Sequence, residues 1–455
     1  AVTAKDAGWD TDQEPMPGSD VLLGFAGERA ELVRRLAEEL RPELTGSLET
    51  VYRDIEEPLI PVVLRMEETG VELDVEFLAG MSEELAAELG DLEREIYEVA
   101  GEEFNIGSPK QLGVILFEKL GYPVLRKTRK TKSYSTSAEI LQELADRGYP
   151  LPELLLRYRE LSKLKSTYVD ALPALVAADG RVHTQYNQAG AATGRLSSSN
   201  PNLQNIPIRT ELGQKIRKAF RAPDGRLLLV ADYSQIELRV LAHIAREEAL
   251  IDAFRDGADI HQSTAATVFG VSPLLVNADQ RRAAKVINFG IIYGMSAWGL
   301  AKTLGISPSE AGEFIDAYFA RYPKVKEYVD STLEAAERDG KVETLYGRVR
   351  WLPELSSRNR NLRENAKRMA INARIQGTAA DLQKLAMIRV AERLTAESPE
   401  AALLLTVHDE LVLEVPASEL DGVAEMVRSE MEGVAELAVP LVVEMGSGPT
   451  WFDAK

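Results

Sequence analysis

The sequence predicts an α+β protein, with helices gathered in long tracts and a few strands set among them. Three stretches predict this. Residues 226–239 read RLLLVADYSQIELR: Leu227 to Ala231 are all apolar and run into Asp232. An unbroken apolar run of that length is a strand buried on both faces. A helix follows, with Ile236, Val240 and Ile244 at helical spacing. Residues 403–415, LLLTVHDELVLEV, place two apolar runs on either side of His408 and Asp409, the pattern of a β-hairpin with acids in its turn. Most of the remaining chain has apolar positions every three or four residues, as helices do.

Length and composition bound the answer. A chain of 455 residues exceeds one ordinary core and implies about three domains or lobes. Hydrophobic content of 45% with 27% charged residues fits a soluble globular protein. No stretch approaches the ~20 apolar residues of a membrane span. The start, AVTAKDAGWDTDQ, has neither the basic nor the apolar part of a secretory signal, so the chain is expected not to be secreted. The absence of cysteine excludes disulfides, zinc–thiolate sites and thiol catalysis. Any metal must then sit on oxygen or imidazole ligands, and oxygen suits Mg²⁺ or Mn²⁺. The net charge of −19 opposes a nucleic-acid partner only if charge is evenly spread. It is not: residues 126–132 (RKTRKTK) carry five bases and no acid, and 215–221 (KIRKAFR) carry four bases.

Taken in order, residues 1–24 are acidic and rich in Gly and Pro, an irregular lead-in, and 25–40 read as a helix. Residues 77–100 form an amphipathic helix through Leu78, Met81, Leu85, Leu89, Leu92, Ile96 and Val99, stopped by Gly101. Its narrow seam calls for one antiparallel partner. Ser108 and Pro109 open a further helix. TSAE at 136–139 is the spacing of a capping box, and 152–172 give another long helix. The basic tip 125–135 stands between two of these helices, where it reads either as a clamp for a polyanion or as a solvated loop. Residues 180–207 are too polar for a core and too long for an ordinary connector; they include Arg195, Asn202, Gln204 and Asn205, with Arg209 just beyond. Residues 242–373 are again helical, with SPSE at 307–310 as a second capping box.

The chemistry rests on two features. Asp232 and Asp409–Glu410 are acid-bearing strand features far apart in sequence. If they join one sheet their carboxylates converge, and converging carboxylates repel or bind a cation. Alone, Asp232 reads equally as a helix cap, and the hairpin as a solvated turn. Residues 281–294, RRAAKVINFGIIYG, set Arg281, Lys285, Phe289 and Tyr293 four apart. On a helix these make one stripe, cationic at its start and aromatic at its end. A core helix would bury apolar residues along that face, and a solvated one would carry fewer aromatics. The stripe suits a nucleotide, with the cations and the positive helix end on phosphate and the rings on sugar and base.

Together, DYSQIELR at 232–239, the helix at 281–294 and VHDE at 407–410 resemble motifs A, B and C of the family A DNA polymerases, in order and in spacing. TGRLSSSNPNLQNIP at 193–207 and QGTAADL at 376–382 resemble two further signatures of the family's bacterial polymerase I branch, as in its large (Klenow-type) fragment. The resemblance runs from about residue 50 onward. It implies a right hand with an antiparallel-sheet palm, helical fingers and a helical thumb: 51–76 the start of the palm, 77–190 thumb, 191–242 palm, 243–372 fingers and 373–455 palm. It implies a DNA-directed DNA polymerase, a nucleotidyltransferase of DNA replication and repair. Its partners would be primer-template duplex DNA and dNTPs, with no membrane, acting as a monomer in the bacterial cytoplasm at the nucleoid.

The resemblance also assigns residues. Asp232 and Asp409, with the Tyr233 backbone carbonyl, would hold two Mg²⁺ ions, for which Mn²⁺ can substitute, and Glu410 would be an auxiliary acid. Arg281, Lys285 and His261 would hold the β- and γ-phosphates, and Lys285 could protonate the leaving pyrophosphate. Glu237 would exclude a ribose 2′-hydroxyl, Phe289 would discriminate against dideoxynucleotides, and Tyr293 would stack on the template. Gln235 completes the dNTP site. Arg195, Asn372, Gln376 and His408 would line the minor-groove edge of the primer terminus, where every correct pair offers acceptors. Asn202, Asn205 and Lys163 would also contact DNA. The alternative is an idle DNA-binding module derived from such an enzyme, against which the intact Asp232, Asp409, Arg281 and Lys285 speak.

Departures matter as well. Residues 1–50 read as an inactive remnant of a 3′–5′ exonuclease-like domain, with Phe25 and Arg29 where the family has Tyr and Asp. No proofreading and no 5′-nuclease are expected. Asp54 with Glu56, and Asp74 with Glu76, match a bare DxE and read as surface acids. Arg374 stands where many relatives have proline.

Overall fold

A computed structural model describes residues 20–128, 132–208 and 210–455. The centre of the basic tip and Arg209 lie outside the described residues, as does the lead-in 1–19. Phe25 lies in a described helix, but its side chain is outside what is described.

The chain opens with α1 (Asp20–Leu40) and α2 (Ser47–Val51), then one wider helical turn, Tyr52–Glu56, leading into α3 (Glu57–Thr69). After the short β1 (Val71–Leu73) comes the helical arm: α4 (Val75–Ala100), α5 (Pro109–Val114), α6 (Ala138–Asp146) and α7 (Pro150–Leu164). Asp74 caps α4 by accepting from Phe77 N–H at 2.8 Å, and Ser108 caps α5. The seam of α4 is buried as expected and shares its core, through Leu85 and Leu92, with Leu161 and Leu164 of α7. The capping box at 136–139 does not form. Here α6 begins at Ala138, and the Ser137 side chain makes no cap bond. Thr136 is instead buried, with its carbonyl accepting from Arg159 at 2.6 Å. Tertiary packing has taken the residue the box needs. The helix expected over 152–172 ends at Leu164 and continues as a wider turn, Lys165–Val169.

The polar stretch forms β2 (Arg181–Val182), β3 (Gln185–Asn187) and β4 (Ser197–Ser199), joined by loops, and α8 (Glu211–Lys218) and β5 (Phe220–Arg221) follow. Then come β6 (Arg226–Tyr233), α9 (Ile236–Ala245), α10 (Glu248–Arg255), α11 (Ile260–Phe269), α12 (Ala278–Ile292), α13 (Ala297–Leu304), α14 (Pro308–Arg321) and α15 (Pro323–Asp339). A small hairpin, β7 (Lys341–Glu343) and β8 (Val349–Trp351), interrupts the helical tract before α16 (Arg360–Glu397). The chain closes with β9 (Ala402–Val407), β10 (Glu410–Pro416), α17 (Leu420–Glu432) and β11 (Val443–Gly448). Ser307 caps α14 by accepting from Glu310 N–H, half of the box read there.

The central sheet is antiparallel, in the order β11-β6-β10-β9. Strands β6, β9 and β10 are buried on both faces, as the apolar runs require. Leu229, Ala231, Leu411 and Leu413 pack into a core with Ile375, Leu382 and Met387 of α16. Leu228, Val230 and Val412 pack oppositely, with Phe220 and Trp451, in the core that also holds the base of the arm. The sheet is therefore clamped between α16 and the root of the arm, which fixes the ends of β6 and β10. No described helix is long and apolar enough to cross a membrane.

Candidate active site

Asp232 is the next-to-last residue of β6, and its direct neighbours across the sheet are Glu410 on β10 and Glu444 on β11. Paired residues share a face, and alternation puts Asp232 on the side of Leu228 and Val230, beyond their apolar cover. The helix-cap reading fails: the residue before α9 is Gln235, and no side chain caps that helix. Asp409 occupies the tight turn between β9 and β10, and Tyr233 N–H donates to its carbonyl at 3.2 Å. The two acids expected to converge therefore meet at one sheet edge. Both are flanked by strain, since Gln235 (φ 54°) and His408 (φ 57°) are left-handed without being glycine, a geometry that collects at functional sites.

Burial pushes the Asp409 carboxyl up to about 6, with Arg195 opposing and Glu237 and Asp232 adding to the rise. Asp232 is also raised, by burial first and then by Glu410 and Glu444, against the pull of Lys455. Arg195 stands 3.3 Å from Asp409, and Lys455 stands 3.5 Å from Asp232. Two partly desolvated carboxylates, each already facing a cation, form an all-oxygen site that fits hard divalent ions.

Glu237, in the first turn of α9, is buried. Arg195 Nη2 donates to one of its oxygens at 2.8 Å, and Tyr293 Oη donates to the other at 2.9 Å. One arginine thus bridges Glu237 and Asp409, and one tyrosine ties the C-terminal end of α12 to the first turn of α9. Arg195 also lines a cavity of about 40 Å³ with Gln204, Gln383, Thr406, His408 and Asp409, enough for a water molecule. Among the described residues, buried polar atoms without a partner include Arg195 Nε, Gln235 Oε1, Asn372 Oδ1 and Gln383 Oε1. Such atoms are costly unless a ligand or water meets them.

The helix read over 281–294 is α12, opened by a full capping box between Asn277 and Gln280. Its inner face buries Ala284, Ile287, Asn288 and Ile291, while Arg281, Lys285 and Tyr293 are exposed and Phe289 is half-buried. The stripe therefore faces outward. Phe289 and Tyr293 stack with ring centres 6.3 Å apart. Arg281 Nε donates to Asp259 at 2.6 Å, and any phosphate must compete with that carboxylate.

His261 differs from a phosphate-binding cation. It is buried, and burial lowers its pKa to about 4, with Asp259 opposing and Lys285 and Arg281 adding to the fall. Thr264 donates to Asn288 Oδ1 at 3.0 Å, so the Asn288 amide nitrogen, 2.9 Å from His261 Nδ1, is the donor there. The ring proton then sits on Nε2, and His261 offers a phosphate a neutral N–H. The linkage has a definite sign. The unfolded chain takes up this proton near the ordinary 6.5 and the folded one near 4, so stability falls as pH drops through that window. His261→Gln is expected to flatten the acid side of a denaturation-midpoint profile between those values; an unchanged profile would mean that the ring is not held neutral.

Asn372 and Gln376 lie one turn apart on α16, half-buried, with side chains 3.4 Å from one another. His408 is exposed at the turn beside Asp409. Asn202 and Asn205 are exposed in the polar loop and Lys163 on the last turn of α7; among the described residues none of the three contacts the acids. Glu410, the direct neighbour of Asp232 across the sheet, has both oxygens engaged by the protein. It is 2% exposed, with one oxygen on Trp451 Nε1 at 2.7 Å and the other on Lys455 Nζ, and with Arg217 3.7 Å away. Sequence reasoning missed Trp451, Lys455 and Arg217. The available signal was that an acid at the start of a buried, mainly apolar strand must have a partner. Glu56, read as a surface acid, pairs with Arg348 and with the buried Lys384. Arg374 fastens the β7–β8 hairpin, donating to the Glu343 carbonyl at 3.2 Å and to Thr332 at 3.1 Å.

An antiparallel sheet with two acids at its edge, a helical arm on one side and a helical lobe on the other, is the right-hand polymerase fold, class α+β. Residues 75–453 match the model of DNA polymerase family A, and the chain belongs to that family. It is 53% identical over 433 residues to DNA polymerase I of Pseudomonas aeruginosa, covering 94% of this chain and 47% of that protein. It is 52% identical to the thermostable DNA polymerase I of Thermus aquaticus, covering 94% of this chain and 52% of that protein. The chain thus spans about half the length of the curated relatives it matches. A solved structure, the POL domain of Pol1 from M. smegmatis in complex with DNA primer-template and dNTP, superposes with a TM-score of 0.87 at 42% identity, covering 93% of this chain and 74% of that one.

Proposed function

We propose that the chain is a template-directed DNA polymerase that adds dNTPs to a primer 3′-hydroxyl and releases pyrophosphate. The observation that carries this is the 2.9 Å bond from Tyr293 to Glu237, which links the aromatic end of the α12 stripe through Arg195 to Asp409. A triphosphate lying along α12 would then present its α-phosphate to the acids. The sheet and its flanks would be the palm, 243–372 the fingers and 77–190 the thumb.

Asp232, Asp409 and the Tyr233 carbonyl would hold two Mg²⁺ ions, or Mn²⁺ in their place, which when bound lower the pKa of the attacking hydroxyl and neutralise the phosphates. Arg281, once parted from Asp259, and Lys285 would hold the β- and γ-phosphates with the N-terminus of α12 behind them. His261 would add its Nε2 proton as a hydrogen bond, and Lys285 would deliver a proton to the pyrophosphate oxygen. Phe289 and Gln235 would pack on the sugar and base. Glu237, held at both oxygens, would close the space that a 2′-hydroxyl needs. Arg195, Asn372, Gln376 and His408 would donate to the minor-groove acceptors common to all correct pairs. Lys163, Asn202 and Asn205 would contact the duplex through its backbone, so binding should weaken with salt. Arg29, exposed on α1 where an excision site would need an acid, supports a chain that does not trim mismatches.

Primer extension with Mg²⁺ is the test. The protein is expected to copy the template with four dNTPs and to use rNTPs poorly. Glu237→Ala should improve the rNTP-to-dNTP ratio of kcat/KM by about 10²-fold or more, since a block at a polar, fully occupied position is lost. No extension by the unaltered protein would overturn the proposal; an unchanged ratio would overturn the role of Glu237.

A further inference from the structure

We propose that Lys455 is a positioning residue of this site. It acts as a built-in cation that ties back Glu410 and one oxygen of Asp232, so that Asp232 presents its other oxygen to the metals and Glu410 presents none. The inference rests on the polymerase reading above, and part of its test does not.

The need for such a cation follows from the sheet register. Glu410, Asp232 and Glu444 are direct neighbours on adjacent strands, and like charges set opposite one another destabilise a sheet. Glu444 is exposed and accepts from Ser234 at 2.9 Å. Glu410 is buried and cannot be relieved by solvent. The Lys455 ammonium pairs with Glu410 Oε2 and lies 3.5 Å from Asp232 Oδ2. Trp451 takes the remaining Glu410 oxygen. Both Glu410 oxygens are then occupied, and Asp232 keeps Oδ1.

The fold delivers this lysine. Residues 449–455 form a hook laid on β11 and β5: Ala222 N–H donates to the Pro449 carbonyl at 2.9 Å, and Trp451 N–H donates to the Phe220 carbonyl at 2.8 Å. Trp451 and Ala454 are fully buried. The Arg217 guanidinium lies 3.8 Å over the Trp451 ring. Gly446 and Gly448 leave β11 bare beneath the hook; a Cβ there would stand 2.4 Å from the Ala454 carbonyl oxygen and 2.7 Å from the Asp453 carbonyl carbon. An ammonium on such a mount is placed by backbone hydrogen bonds and a buried indole, not by chance of surface rotamer.

The test compares Lys455→Met, which keeps the stem and removes the charge, with Lys455→Arg, which keeps the charge. Mn²⁺ binding to the DNA-free protein, read by electron paramagnetic resonance, needs no turnover. Removing a positive charge this near is expected to tighten Mn²⁺ by roughly fivefold or more in Lys455→Met and to leave Lys455→Arg within about twofold of the unaltered protein. In primer extension, Lys455→Met should lose about tenfold in kcat, the scale of outer partners of a metal site, with KM for dNTP nearly constant. Glu410→Gln, which removes the main partner, should make the Lys455→Met effect smaller. Unchanged Mn²⁺ affinity in Lys455→Met, or equal losses in the Met and Arg variants, would overturn the role. If the unaltered protein failed to extend primers, the polymerase reading would fall and the Mn²⁺ result would still judge Lys455.

Discussion

Asp409→Ala is expected to reduce primer extension by at least about 10³-fold, because even outer partners of metal sites account for 10- to 100-fold and this residue is proposed as a direct ligand. Its carboxyl is the one pushed up to about 6, and Arg195 is the cation nearest to it. Removing it would therefore take negative charge from a site proposed to hold metal ions. Primer-template binding, followed by fluorescence anisotropy, should remain within a few-fold or tighten, since a repulsive charge next to DNA is gone. Asp409→Asn should behave like Asp409→Ala, because shape without charge does not hold Mg²⁺. A variant that extends within tenfold of the unaltered protein would remove Asp409 from the chemistry. Weakened DNA binding with normal turnover would make it a DNA contact instead.

The second large effect is on stability. Asp381, fully buried on α16, accepts from Arg348 Nε at 2.7 Å and from Thr344 Oγ1 at 2.7 Å. Arg348 also reaches Glu56, and Glu56 accepts from the buried Lys384 at 2.6 Å. Two cations and two acids thus balance inside the protein. Asp381→Ala leaves an excess positive charge in a largely buried cluster, and breaking such a pair from one side costs about 3–5 kcal/mol. The denaturant midpoint should fall accordingly, with the slope nearly constant. A fall under about 1 kcal/mol, the level of an exposed pair, would show that the network is solvated. Arg348 also lies under Gly194, where a Cβ would meet its Nε at 2.6 Å. Loosening Arg348 should therefore disturb the loop that carries Arg195.

How much of this was legible in the sequence depends on how local the signal was. The β6 strand, the β9–β10 hairpin and the outward stripe of α12 were written in runs of ten to fifteen residues, where apolar period and turn chemistry decide. Asp232 and Asp409 were found because an acid ending an apolar run is conspicuous. The right-hand layout came from the order of matched motifs rather than from periodicity. What escaped was set by contacts distant in sequence. Arg195 holds Glu237 and Asp409, which no spacing rule relates, and the burial of Glu410 depends on Trp451 and Lys455. The capping box at 136–139 failed because Arg159 and the surrounding core claim Thr136. Arg374, conspicuous in the sequence only as standing where many relatives have proline, ties the β7–β8 hairpin to two helices.

A single helix of 38 residues, α16, is about 57 Å long at 1.5 Å per residue, and it carries Asn372, Gln376, Asp381 and Lys384 along one unbroken rod. Such a rod does not fold in the middle, and it gives the C-terminal end of α12 a fixed support. Gly294 lies there, left-handed at φ 63°, where a Cβ would stand 3.1 Å from Arg368 Cγ and 3.3 Å from its Cα. The smallest residue is the bearing surface, and the clearance between α12 and α16 is set by one missing methyl group.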